Sequence, residues 1–135
     1  MSRKDLCRVL CIEDNQDILA VLRFSLESIG GFEVRISTNP AEVPTAITEF
    51  KPDLVLLDRM LPGTDGLELI RKLPSLAGDQ GLPVVFLTAK SQDKDIREML
   101  ATGALDVIPK PFDAIKLPDQ LKEIWGRSRS QKNEV

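Results

Sequence analysis

Residues 54–66 read LVLLDRMLPGTDG. The four uninterrupted apolar residues Leu54–Leu57 have the length and continuity of a strand buried on both faces of a parallel sheet. Asp58 stands at the carboxyl end of that run, and Pro62, Gly63 and Gly66 shape the loop after it. Working outward, a short apolar run alternates with a longer amphipathic stretch along the whole chain. The other strand candidates are Arg8–Ile12, Glu33–Ile36, Val84–Leu87 and Leu105–Ile108. Between and after them lie helix candidates at about Gln16–Ser28, Ala41–Phe50, Gly66–Leu73, Asp93–Thr102 and Ala114–Trp125. Five βα units in succession predict an α/β fold, a doubly wound five-stranded parallel sheet.

Punctuation supports this division. Gly30-Gly31 closes the first helix, and Asn39 offers a cap before Pro40, which suits a first helical turn. Pro44 would distort a helix begun at Pro40, so the second helix is expected to start nearer Pro44. Lys51-Pro52-Asp53 breaks the chain before the third strand. The stripes Ile18, Val21, Leu22 and Leu117, Leu121, Ile124 read as core faces of the first and last helices, with Trp125 packing near the end of the last. Beyond it the apolar periodicity stops. The expected division is therefore one domain over residues 1–126, with 127–135 a disordered tail or the start of a linker.

Composition narrows the function classes. A chain of 135 residues with 42% hydrophobic and 29% charged residues is the size and make-up of one globular domain, which argues against disorder and fibrous architecture. Its net charge of -3, from 18 basic and 21 acidic residues, does not suit a surface built to grip a phosphate backbone, so no direct nucleic-acid ligand is expected. The absence of histidine excludes a Ser/His/Asp triad, a Cys/His dyad and an imidazole zinc site. Any histidine chemistry must come from a partner. Cys7 and Cys11, if both in one strand, stand roughly 13 Å apart along it, too far for a disulfide. The N-terminus lacks a leader pattern and no apolar run reaches a membrane span, so a cytoplasmic location with no membrane partner is expected.

In a doubly wound sheet, ligands sit beyond the carboxyl ends of the strands. The residues there are Glu13 and Asp14 after the first strand, Asp58 after the third, Thr88 after the fourth and Lys110 after the fifth. Each alone has an ordinary reading: Asp14 as a helix cap, Asp58 as a turn opener, Thr88 and Lys110 as loop residues. Together they say more. Two carboxylates about 4 Å apart repel by roughly 4 kcal/mol at an effective dielectric near 20, so three on one rim call for a cation. Mg2+ suits an all-oxygen set that also meets phosphate, and lysine and threonine can hold further phosphate oxygens.

The segments CIEDN (11–15), LVLLDRMLPGTDG (54–66), VVFLTAK (84–90) and PKPF (109–112) closely resemble the receiver domain of two-component response regulators, in particular the single-domain chemotaxis regulators. The resemblance spans about Arg8–Trp125. It implies a flavodoxin-like (βα)5 fold with strand order 2-1-3-4-5. It further implies a phosphoacceptor at Asp58, a switch hydroxyl at Thr88 and a phosphoryl contact at Lys110. Mg2+, or Mn2+, would be held by Asp14, Asp58 and the main-chain carbonyl of Met60 directly, and by Glu13 through water. Ala89 would leave the entrance open, and Lys110-Pro111 resembles the family's cis peptide. The implied partners are a sensor histidine kinase or histidine phosphotransfer protein upstream and a further protein downstream.

Departures from the pattern bear on output. Val107 stands where the family usually carries a tyrosine or phenylalanine that follows the threonine, and Pro109 removes a backbone donor. Met60 and Lys90 occupy positions that in this family influence water access to the aspartyl phosphate, and here they imply slow self-dephosphorylation. The chain is thus read as a signalling phosphoacceptor and not an enzyme, beyond autophosphorylation from small donors. Two other readings compete: a phosphorylation-independent docking module, which Val107 favours, and a haloacid-dehalogenase-type phosphatase. The second expects an aspartate two residues beyond the nucleophile, where this chain has Met60.

Overall fold

The computed structural model describes residues 5–77 and 81–133. Strands β1 (Arg8–Ile12), β2 (Glu33–Ser37), β3 (Leu54–Leu57), β4 (Val84–Thr88) and β5 (Asp106–Pro109) form one parallel sheet in the order β2-β1-β3-β4-β5. All five lie where the apolar runs place them, to within a residue at each end. They are connected and flanked by helices α1 (Gln16–Arg23), α2 (Val43–Phe50), α3 (Gly66–Lys72), α4 (Asp93–Leu100) and α5 (Leu117–Asn133). Because β2 and β3 lie on opposite sides of β1, the winding reverses there, and a crevice opens beyond the ends of β1 and β3.

Alternation along the strands divides the core in two. Val9, Cys11, Leu54, Leu56, Val85 and Leu87 face α1 and α5, where they meet Leu22, Leu26, Leu117, Leu121 and Trp125. Leu10, Ile12, Val55, Leu57, Val84 and Phe86 face the other way, toward Val43, Leu67, Ile70 and Met99 of α2, α3 and α4. Side chains buried on both faces explain why these strands read as unbroken apolar runs. Phe86 is fully buried in the second layer, and truncating it to alanine is a loss of about 3–5 kcal/mol.

Several boundaries differ from the sequence reading. The Pro40/Pro44 conflict is resolved by two helical pieces: Asn39 caps a 3-10 turn over Pro40–Glu42, and α2 begins at Val43 with Pro44 in its first turn, where a missing N–H costs nothing. The first helix reaches Ile29, one residue beyond the expected Ser28, but its last stretch, Phe24–Ile29, is a π-helix. In that stretch the buried Ser25 donates from Oγ to the Ala114 carbonyl at 2.6 Å. The last helix starts at Leu117, not Ala114, because Asp113 accepts from the amides of Ile115 and Lys116 and shapes the preceding turn. It continues past Trp125 to Asn133, so residues 127–133 are helical where the sequence predicts a disordered tail or the start of a linker, and residues 134–135 lie outside the described residues. Helical hydrogen bonds are local, so they persist where the apolar stripe has ended.

The stripe on α1 also divides. Leu22 is buried and Ile18 half-buried, but Val21 is 44% exposed and is no core residue. Among the described residues, that side of α1 lines an open groove. Cys7 precedes β1 and is exposed while Cys11 is buried, and both are free thiols. Burial pushes the Cys11 thiol up to about 12.

Candidate functional site

Backbone ladders carry the site residues to one rim. The Glu13 amide donates to the Ser37 carbonyl at 3.2 Å, the Asp58 amide to Ile12 at 3.0 Å and the Lys110 amide to Thr88 at 3.0 Å, each extending the parallel pairing past its strand. Asn15 then caps α1, its Oδ1 accepting from the amides of Asp17 and Ile18, so the chain turns away and leaves Glu13 and Asp14 at the crevice. After Asp58 the loop closes on itself, with the Gly66 amide 2.6 Å from the Arg59 carbonyl. A Cβ at position 66 would stand 2.8 Å from the Asp58 carbonyl oxygen, so only glycine permits this approach.

Glu13, Asp14 and Asp58 each offer a carboxylate oxygen, all within 4.8 Å of one another. Glu13 is buried, and its Oε2 accepts from the amides of Asp14 and Asn15 at 3.0 and 3.1 Å. Asp58 is buried as well, and its Oδ1 accepts from the Met60 amide at 3.1 Å. Asp14 is exposed. Lys110 Nζ bridges two of the three, 2.5 Å from Glu13 Oε1 and 3.1 Å from Asp58 Oδ2. Burial alone would lower the lysine's pKa, but the hydrogen bond to Glu13 and the Asp58 charge outweigh it, and the net displacement is upward. Three carboxylates against one ammonium leave an excess of negative charge on an all-oxygen donor set, which fits a hard divalent cation.

The remaining expected residues surround this cluster. Thr88 is fully buried, and its Oγ1 accepts from the Lys90 amide at 3.1 Å. Ala89 and Lys90 are exposed, and the Lys110-Pro111 bond is cis. Met60 projects its side chain to solvent, 59% exposed. Beside Lys110 runs an open apolar groove of about 490 Å³ lined by Ile18, Val21, Ala89, Pro111 and Phe112, which is where the exposed side of α1 is spent.

Two residues escaped the sequence reading. Arg59 is buried among carboxylates of two helices. An arginine one residue beyond the apolar strand, next to Asp58, is the local signal, and its partners lie up to 39 positions away. Asp53 is also buried, accepting from the amides of Cys7 and Arg8 at 3.0 and 2.9 Å, and it fastens the start of β1.

A five-stranded parallel sheet with an acidic rim at its switch point and a lysine reaching in from the last strand defines a narrow class. The family model of the response regulator receiver domain matches residues 9–122, and the chain belongs to that family. It is 35% identical over 124 residues to the phosphate regulon transcriptional regulatory protein PhoB of Rhizobium meliloti, covering 92% of this chain and 54% of that protein. It is likewise 35% identical over 128 residues to the DNA-binding response regulator MtrA of Mycolicibacterium smegmatis, covering 95% of this chain and 54% of the relative. The chain thus spans about half the length of the curated relatives it matches. Among solved structures, a CheY-like response regulator receiver domain protein from Methanospirillum hungatei JF-1 superposes with a TM-score of 0.77 at 26% identity, covering 94% of this chain and 99% of that one. The chain is a receiver domain of two-component signalling, a signalling module and not an enzyme of the ordinary kind. No helix among the described residues is long and apolar enough to cross a membrane.

Proposed function

We propose that Asp58 accepts a phosphoryl group from the phosphohistidine of a sensor histidine kinase or histidine phosphotransfer protein, in a magnesium-dependent transfer that changes how the domain meets a downstream protein. The observation that carries this reading is the meeting of Glu13, Asp14, Asp58 and Lys110 at the strand ends. In the transfer, a bond forms between an Asp58 Oδ and phosphorus as the donor's N–P bond breaks, and that electron pair stays on the departing imidazole. The Lys110 ammonium, already beside Asp58 Oδ2, follows the charge onto the phosphoryl oxygens, and the Thr88 hydroxyl and nearby amides supply further donors. Asp14, Asp58 and the Met60 carbonyl, with Glu13 through water, are the groups to hold Mg2+ or Mn2+, which when bound neutralises charge on the transferred oxygens. The absence of histidine from the chain leaves the donor imidazole to the partner.

In this reading Met60 cannot orient water and the Lys90 ammonium cannot act as a base, so the aspartyl phosphate decays slowly, more slowly than in Met60→Asn. Residues 1–126 form the acting unit in the cytoplasm, and α5 runs on past them to Asn133. DNA binding is named for a longer relative, and with a net charge of -3 this chain's own contacts are with protein. The test is incubation with acetyl phosphate and Mg2+ followed by intact-mass measurement. One phosphoryl group is expected on the wild type and none on Asp58→Asn. Undiminished labelling of Asp58→Asn would move the acceptor elsewhere.

A further inference from the structure

Arg59 touches neither the acidic rim nor Lys110, yet its backbone directly continues Asp58. Its guanidinium reaches two helices at once. Nε lies 3.3 Å from Asp65 Oδ1, Nη2 lies 3.2 Å from Glu98 Oε2, and Nη1 lies 3.6 Å from Asp95 Oδ1. Asp65 is the N-cap of α3, where it accepts from the Leu67 amide at 2.9 Å. Asp95 sits in the first turn of α4 and accepts from the Gln92 amide at 3.3 Å through its other oxygen. One side chain therefore joins the segment after Asp58 to the starts of both helices.

The arrangement is incompletely closed. Nη1 is buried and has no hydrogen-bond partner among the described residues, the kind of orphan that folded proteins rarely keep. Asp95, itself buried, is divided between the Gln92 amide and Arg59, and both contacts are long. A shift of the first turn of α4 by less than about 1 Å would bring Asp95 Oδ1 within hydrogen-bond reach of Nη1, while Oδ2 keeps the Gln92 amide of the same turn. A contact this long leaves the turn free to be drawn closer by a small bias from outside. The same turn is tied to the site from its other side, since Gln92 follows Lys90 by two residues and the Lys90 amide donates to Thr88 Oγ1 at 3.1 Å.

We propose that Arg59 is an ionic latch through which the state of Asp58 reaches α4. It is a positioning residue, and the inference rests on the reading of Asp58 as phosphoacceptor. Phosphorylation draws on the donors around Thr88 and Lys90, the first turn of α4 moves, and Asp95 closes onto Nη1. The arginine, held on α3 by Asp65, is the fixed point against which α4 shifts.

The test is amide NMR of the full chain with Mg2+, before and after beryllofluoride as a phosphoryl mimic. In the wild type, shifts are expected both at the site (Met60, Ala89) and along α4 (Gln92, Ile96, Met99). Asp95→Asn keeps an oxygen for the Gln92 amide but loses the charge, so α4 keeps its cap. In that variant the site shifts are expected unchanged and the α4 shifts reduced at least twofold. Arg59→Met should give the same uncoupling; if it does not fold, Asp95→Asn carries the test alone. Alpha-4 shifts of wild-type size in Asp95→Asn would overturn the latch while leaving the acceptor reading intact. No shift at Met60 or Ala89 even in the wild type would instead overturn the acceptor reading, and the latch with it.

Discussion

Asp58 and Arg59 are neighbours in sequence, yet each belongs to a different ionic cluster built from one cation and three carboxylates. Around Asp58 the cation is Lys110 and the other acids are Glu13 and Asp14; around Arg59 the acids are Asp65, Asp95 and Glu98. The charge balance is the same and the construction is not. Lysine brings a compact charge on a flexible stem, and Asp14 stands open to solvent, so in the proposed reading the first cluster exchanges partners with a small ion or a phosphoryl group. Arginine brings a rigid fork whose three nitrogens each face a different carboxylate, and helices α3 and α4 close over it. The same stoichiometry thus makes a receptacle in one place and a joint in the other. What separates them is the cation's shape and the access of water.

The sharpest way to break the comparison is to remove the acid that opens the first cluster. Asp14→Asn is expected to lower Mg2+ or Mn2+ affinity at least tenfold, because among the described residues the exposed carboxylate is the one of the three that no lysine or backbone amide already engages. Titration calorimetry on the unphosphorylated protein measures it. Equal affinity in wild type and variant would detach the metal from this rim.

Removing the cations should separate the clusters by stability. Arg59→Met leaves Asp95 buried without a countercharge, and breaking a buried pair from one side costs about 3–5 kcal/mol. Lys110→Met should cost clearly less, since Glu13 keeps the amides of Asp14 and Asn15 and Asp58 keeps that of Met60. Urea midpoints of the two variants give the ranking, and a reversed order would make the open cluster the structural one.

The sheet and the rim were legible because both rest on local signals. Apolar runs such as Leu54–Leu57 and Val84–Leu87 are long enough to be buried on both faces, and the polar residue ending each run falls at the crevice by topology alone. The second cluster was not legible for the opposite reason. Asp65, Asp95 and Glu98 look like ordinary first-turn and surface acids of two helices, and only tertiary packing brings them to Arg59. Val21 failed similarly: periodicity marks it as part of an apolar face but does not say whether another element covers that face. For α5, reading the helix end from the loss of the apolar stripe confused burial with helicity.

Raising the pH should affect the first cluster and the core beneath it. Lys110 has a folded pKa above its ordinary 10.5, so its contribution is complete below that value and is lost as pH rises through the folded one. Cys11 is raised from 9.0 to about 12, so the folded state keeps a proton that the unfolded thiol releases above pH 9. Stability is then expected to hold to about pH 9 and fall beyond it, with a slope approaching 1.4 kcal/mol per pH unit, roughly, from Cys11 alone. Urea midpoints between pH 8 and 11 for wild type and Cys11→Val check the sign, the variant losing the earlier part of the decline.

The smallest effect is expected at the outermost contact of the second cluster. Glu98 meets Arg59 Nη2 at 3.2 Å, but its side chain is 46% exposed while that of Arg59 is 5% exposed. Water reaches one partner of the pair and screens it, so the interaction is worth at most about 1 kcal/mol, and glutamine can still accept the hydrogen bond through its amide oxygen. Glu98→Gln should therefore shift the urea midpoint only slightly, by less than Asp95→Asn, and the small difference from wild type should shrink further as salt is raised. A loss near that of Arg59→Met would put the centre of the cluster at the solvent edge of α4. The buried Asp95 would then be a bystander, and the distinction between an open receptacle and a closed joint would rest on geometry alone.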